Sequence, residues 1–257
     1  MSLLLQAYNL HHKYGDEVAV HHVDLTLSEG EIVALLGPNG AGKSTTMRML
    51  TALMQPTRGE ISYLSQRIPE DLVEAKRLFG YVADQPMILP YLTGWEYIQF
   101  VAGLYGTPAA EIEAIATPLI RRFSLQDAIF KRATGYSHGM QQKLALIAQL
   151  AHKPRVLIAD EPTVGLDPAS AAEMQDIFRD HARNGNAILI STHLLDMAFN
   201  LATRIVLMAH GRIVATGTPD ELTQGGQHSL ESVFLQLTKD RERDSERDRD
   251  GDREVAG

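Results

Sequence analysis

The 257-residue chain contains no cysteine, which excludes a disulfide framework and any thiolate-ligated metal site. It has a single tryptophan, and aromatic residues make up only 6% of it. No apolar run approaches the roughly 20 residues that a membrane-crossing helix requires. The opening MSLLLQAYNLHHKYG has three leucines but neither a basic n-region nor an apolar stretch of signal-peptide length. The expectation is a chain soluble by itself, with any membrane role carried by a partner. An excess of positive charge is also missing. There are 24 basic against 32 acidic residues, a formal net charge of -8, so no nucleic-acid partner held by bulk electrostatics is expected.

What is present reads as strands alternating with helices. Short, continuous apolar runs at Glu31–Leu36, Val156–Ala159 and Ala187–Ile190 have the pattern of strands buried on both faces of a mostly parallel sheet. Helical periods follow at Thr45–Leu53, Met140–Leu150 and Ala169–Arg183. Leu3 to Leu27 alternates like a β-hairpin, Gly59 to Leu64 adds a short strand, and Arg204–Thr216 bends at His210-Gly211 as a second hairpin. Between about Gln85 and Gly135 the pattern turns helical, with Pro86, Pro90, Pro108 and Pro118 expected to break it into pieces. This predicts an inserted helical subdomain at roughly 86–150 within a domain spanning 1–238. The last segment, Lys239 to Gly257, has 14 charged residues of 19 and is expected to be a disordered tail, because it has almost nothing apolar to bury.

Two motifs carry chemistry by themselves. Gly37, Pro38, Asn39, Gly40, Ala41, Gly42, Lys43 and Ser44, followed by Thr45, match G-x-x-x-x-G-K-[ST] where a buried strand gives way to a helix. Glycines let successive backbone N–H groups curl around phosphate oxygens, and the opening helix points its positive end at the same anion. Lys43 adds a full charge toward the β and γ phosphates, and the Ser44 hydroxyl can ligate Mg²⁺. The second motif is Val156-Leu-Ile-Ala-Asp160-Glu161-Pro162, an apolar strand that ends in two carboxylates. A buried charge requires a partner, and an Mg²⁺ shared with Ser44 supplies one for Asp160. Glu161 is then placed to accept a proton from a water attacking the γ-phosphate.

Four further segments give a resemblance to ABC (ATP-binding cassette) ATPases over about residues 3 to 223. Tyr136-Ser137-His138-Gly139-Met140 resembles the signature motif, usually Leu-Ser-Gly-Gly-Gln, with His138 where a glycine is usual. Gly165-Leu166-Asp167 resembles the D-loop. Ser191-Thr192-His193 resembles the H-loop, its histidine 32 residues after Glu161, and Tyr14-Gly15 resembles the aromatic A-loop. The wording of the signature and of Ser229–Phe234 is most like ATPases of bacterial ABC-2-type exporters.

The resemblance implies an α/β fold: a P-loop ATPase core with a mixed sheet, an N-terminal antiparallel β subdomain and an inserted α-helical subdomain. It implies ATP and Mg²⁺ as ligands, Tyr14 stacked on adenine, and Ser137, Gly139 and Asp167 acting at nucleotide across a dimer interface. Glu161 and His193 are then the catalytic pair, with Lys43 on the phosphates. Alignment of Gly80-Tyr81-Val82 puts Asp84 where the metal-contacting glutamine is expected, with Gln85 one step later, and leaves open which faces the metal. The partners implied are a second ATPase subunit and a transmembrane permease, which would hold the chain at the inner face of the cell membrane.

Two other readings compete with an export ATPase: a soluble ATPase of this type acting on a non-transport partner, and a nucleotide binder without turnover. The span from Lys43 to Asp160 lacks the sustained heptads of repair ATPases. A pure binder needs neither Glu161 nor His193. Finally, Gln85 to Trp95 is unusually apolar for a loop with two prolines. It is read either as core of the helical subdomain or as a surface groove receiving a short helix of the permease.

Overall fold

A computed structural model describes residues 2–226 and 229–234, so the charged segment from 239 lies outside the described residues. The chain opens with β1 (Leu3–Tyr14) and β2 (Glu17–Ser28), followed by β3 (Ile32–Leu36), α1 (Lys43–Leu50), β4 (Arg58–Tyr63) and β5 (Gln66–Ile68). Next come α2 (Leu72–Leu78), β6 (Phe79–Val82), α3 (Gly94–Leu104), α4 (Ala109–Arg122) and α5 (His138–Leu150). The remainder is β7 (Val156–Asp160), α6 (Pro168–Arg183), β8 (Ala187–Thr192), α7 (Leu195–Leu201), β9 (Arg204–Ala209), β10 (Arg212–Gly217) and α8 (Pro219–Leu222).

The strands form two sheets. An antiparallel sheet has the order β2-β1-β4-β5, and a mixed sheet has the order β10-β9-β3-β8-β7-β6. In the second, β9, β3, β8, β7 and β6 run parallel, and β10 returns antiparallel to β9. Each central strand is buried on both faces, so its alternation is divided between two apolar cores. Val33, Leu35, Val156, Ile158 and Leu189 face the antiparallel sheet and α1. Ala34, Leu36, Leu157, Ala159 and Ile190 face the helical side. The continuous apolar runs in the sequence follow from this, since neither face meets water.

The helices of the predicted insert are α3, α4 and α5, which pack on one another through Ile98, Ala102, Ile112, Ala116, Leu144 and Ile147. A capping box between Thr93 and Glu96 starts α3. Pro108 immediately precedes α4, but Pro118 does not break it and lies inside the helix. The stripe of Ile112, Ala116 and Ile120 is buried at four-residue spacing and holds the helix. Pro118 and Ala114, the residue whose carbonyl loses its N–H partner, are both exposed, so water can satisfy that carbonyl. Arg122 ties the end of α4 to α6 by ion pairs with Glu173 and, at 2.8 Å, Asp180.

The apolar run after β6 divides between core and surface. Ile88, Leu92 and Trp95 pack against the helical core, whereas Met87 is 88% and Tyr91 79% exposed.

Candidate functional site: a phosphate cradle and a signature turn

The phosphate loop is built where three segments converge. β3 ends at Leu36, the loop turns, and α1 begins at Lys43. Gly42 has a φ of 98°, a left-handed conformation that glycine adopts without strain. A Cβ there would lie 2.6 Å from the carbonyl oxygen of Ala19 on β2 and 3.3 Å from Cα of Gly211 in the β9–β10 turn. Gly211 in turn donates its N–H to the Ala41 carbonyl. Only a residue without a side chain lets these pieces meet. The first turn of α1 carries no acidic residue and no side-chain cap, so its N–H groups remain open to an anion.

Lys43 is buried and bends back on the loop, its Nζ donating to the carbonyls of Gly37 at 2.7 Å and Pro38 at 3.1 Å. Burial lowers its pKa, and the negative charges of Glu161 and Asp160 oppose that shift. The two carboxylates are therefore close enough to sense the ammonium.

Asp160 is the last residue of β7 and stands in register with Ser191 of β8, whose Oγ donates to its carboxylate. Desolvation raises the Asp160 pKa, the Ser191 hydrogen bond opposes this, the charges of Asp84 and Glu161 add to it, and the Ser44 hydroxyl lowers it. Burial, with the charges of Asp160 and Asp84, pushes the neighbouring Tyr81 to about 12. The charge of Asp84 thus reaches the site, although its side chain is exposed. Gln85 is exposed and donates its N–H to Asp84 Oδ1 at 2.8 Å.

Glu161 has a φ of 46°, an uncommon conformation for a residue with a side chain and one that costs on the order of 1–3 kcal/mol. Its N–H is anchored to Ser191 at the carbonyl, 3.1 Å, and at Oγ, 3.2 Å. The kink carries its carboxylate to His193, with 3.0 Å between Oε2 and Nδ1. Glu161 thus meets His193, Ser191 ties Asp160 to the backbone of Glu161, and the charges of both carboxylates reach Lys43.

Beside them lies a cleft of about 830 Å³ lined by Asn39, Gly40, Ala41, Gly42, Lys43, Ser44 and Thr45. Tyr14 also lines the cleft, half exposed, with its hydroxyl 3.5 Å from Thr45 Oγ1. Glu17, Val18, Ala19, His21, His210 and Gly211 complete the wall. Sequence reading missed these residues, although Glu17 to His21 directly follow the Tyr14-Gly15 turn.

The remaining candidates gather elsewhere. Ser137 and Gly139 do not line the cleft. Ser137 caps α5, accepting from the N–H of Met140 at 3.3 Å. Asp167 caps α6, accepting from the N–H of Ser170 at 2.9 Å, and stands 3.8 Å from Lys143. Within its own chain Asp167 therefore has a structural task rather than a phosphate contact. His138, the departure from the glycine-rich signature, lies over Gly165, where a Cβ would come within 2.6 Å of its Cδ2. Gly165 makes room for the histidine ring, so the signature turn and the segment before α6 fit together.

A profile of the ABC transporter family matches residues 20–164. The chain belongs to the ABC transporter family. It is 32% identical over 247 residues to the Probable multidrug ABC transporter ATP-binding protein YbhF of Escherichia coli (strain K12), covering 94% of this chain and 43% of YbhF. It is 37% identical over 232 residues to the Uncharacterized ABC transporter ATP-binding protein YxlF of Bacillus subtilis (strain 168), covering 90% of this chain and 77% of YxlF. The solved ATP-binding subunit of an ABC transporter matches with a TM-score of 0.87 at 33% identity, over 91% of this chain and 99% of that one. The chain thus spans less than half the length of YbhF. The ABC fold puts its two sets of motifs on different surfaces here: the cradle opens beside Tyr14, and the signature turn stands apart with its cap exposed.

Proposed function

We propose that the chain binds ATP between Tyr14 and the phosphate loop and hydrolyses it to ADP and phosphate, driving export through a separate transmembrane permease. The observation that carries this reading is the junction of Lys43, Asp160, Glu161 and His193, with Glu161 held in a left-handed conformation against His193. A binder without turnover has no use for that conformation. Water attacks the γ-phosphorus as its proton passes to a Glu161 carboxylate oxygen, and the bond from the γ-phosphorus to the bridging oxygen breaks. His193 orients the Glu161 carboxylate through Oε2, and Lys43 exchanges the loop carbonyls for phosphate oxygens.

The donor set fits Mg²⁺. Asp160, Ser44 and Asp84 offer hard oxygen atoms, and among the described residues no group of three His, Cys, Asp or Glu could hold a metal alone. Mg²⁺ is usually bound by one or two carboxylates together with substrate phosphates and water. When bound, it would neutralise charge developing on the phosphates.

A second ATPase subunit completes each site. The exposed cap Ser137 and the half-buried Gly139 in the first turn of α5 are spare donors for a neighbour's γ-phosphate, with Asp167 beside them at the contact. The outward-facing Met87 and Tyr91, one loop from Asp84, suit a short permease helix, which would hold the chain at the inner face of the membrane. Among the described residues no helix is long and apolar enough to cross a membrane.

The test is ATP turnover by the purified chain. Glu161→Gln should keep ATP binding while lowering turnover by about 10² or more, and Asp160→Asn should weaken Mg²⁺-dependent binding. Parental turnover in Glu161→Gln would overturn the reading.

A further inference from the structure

β6 is a terminal strand of the mixed sheet, so one edge of its backbone has no neighbouring strand to pair with. Two glutamine amides from α5, seven residues apart and so on one helix face, cover that edge. Gln149 Oε1 accepts from the N–H of Tyr81 at 3.2 Å, within the strand. Gln142 reaches past the strand's last residue, Val82. Its Nε2 donates to the carbonyls of Ala83 at 3.2 Å and Asp84 at 2.7 Å.

Gln142 has no solvent exposure, and its Oε1 is buried without a hydrogen-bond partner. An apolar residue of the same length would fill this space without desolvating an unpaired carbonyl oxygen. The amide is therefore explained by what its donor side holds. That is the backbone of the segment between the core sheet and the exposed apolar loop, at the residue whose charge reaches Asp160. Gln142 also lies in the second turn of α5, and the next residue N-terminal to it, Gln141, donates its N–H to the Ser137 carbonyl at 2.9 Å.

We propose that Gln142 is a positioning residue that makes the Asp84–Gln85 segment and the Ser137–Gly139 turn move as one unit. Nucleotide in a chain's own cleft then sets the position of the surface that completes the partner subunit's site. This rests on the reading of the chain as an ATPase with shared sites. Gln149, which meets the strand at Tyr81 and also His152 at 3.4 Å but not the 83–85 segment, anchors α5 without taking part in that coupling.

The test combines hydrogen–deuterium exchange with kinetics. In the unaltered protein, ATP should protect the amides of 83–85 and of 137–139 with the same dependence on ATP concentration. Gln142→Met has the same length and no donor. It should abolish the protection at 137–139 and lower kcat about tenfold, with KM for ATP changed less than about threefold. Gln149→Met should lower thermal stability and leave kcat and the linked protection at parental values.

Protection at one segment without the other in the unaltered protein would overturn the proposal even if Gln142→Met failed to fold. Parental kcat with parental protection in Gln142→Met would overturn it as well. Failure of the ATPase reading looks different, because the unaltered protein itself would then have no turnover to lose.

Discussion

The phosphate cradle and the signature turn are both helix N-termini, but they are finished differently. At the cradle, α1 starts without a side-chain cap, its lysine folded onto the loop's own carbonyls and two carboxylates beside it. At the signature turn, Ser137 already caps α5, and the neighbouring Asp167 already caps α6. The first gathers its lysine and carboxylates from its own chain and leaves its helix N-terminus open. The second is stable as it stands and has no substrate in its own chain. A helix terminus that is exposed yet held in shape by Gly165, His138 and Lys143 is suited to contact something outside the chain.

The comparison is sharpened first by removing one group from each side. Lys43→Ala deletes a charge aimed at the phosphates and should lower kcat/KM by about 10³, with ATP binding to the isolated chain lost as well. Ser137→Arg should leave ATP binding to the isolated chain within about twofold and still lower turnover by about 10², because it obstructs only the completing surface. Equal loss of ATP binding in both variants would erase the distinction. Equilibrium binding of a fluorescent ATP analogue reads it.

The adenine side should contribute less. Tyr14→Ala removes a stacking ring worth roughly 1–3 kcal/mol by analogy with base–aromatic contacts. KM for ATP should therefore rise about tenfold while kcat stays near the parental value. A fall in kcat with unchanged KM would show that Tyr14 acts on the chemistry instead.

The smallest effect concerns the helical side and not the cradle. Burial depresses both His152, at the end of α5 and stacked on Tyr105, and His181 of α6 to about 4. These folded values lie below the unfolded value of about 6.5, so the unfolded chain binds more protons between pH 4 and 6.5. The neutral-form contribution is complete above about pH 6.5 and falls as the solution is acidified toward 4. At pH 5 the loss should be about 1–2 kcal/mol per histidine. His152→Gln with His181→Gln should flatten the acid limb of a denaturant-unfolding profile. An unchanged limb would contradict the burial argument.

The cradle was largely legible in the sequence because its parts are contiguous. Gly37 to Ser44 form one contiguous loop and helix start, and Asp160-Glu161 directly ends an apolar strand. What joins those parts was not legible. Ser191 holds Asp160 and Glu161 from 30 residues away, through the register of β7 and β8, and no local pattern encodes a register. The wall at His21 and His210 arises where strand β2 meets the β9–β10 turn, again across distant segments. In the helical region, Pro118 was expected to break a helix that its buried stripe sustains. The Gln85 to Trp95 run, read either as core or as surface, divides by residue between the two. Local chemistry can be read from residue types, whereas long-range contacts depend on packing that strings of residue types do not specify.

The central claim is that each reaction centre needs groups from two chains, and complementation tests it most directly. Lys43→Ala chains, lacking a working cradle, are mixed with Ser137→Arg chains, lacking a working signature turn, and ATP turnover is measured across mixing ratios. In a mixed dimer one site combines an intact cradle with an intact signature turn, so turnover should rise above that of either variant alone and peak near equal amounts. Turnover that never exceeds the simple average of the two variants, at protein concentrations where mixed dimers are demonstrated, would contradict the account.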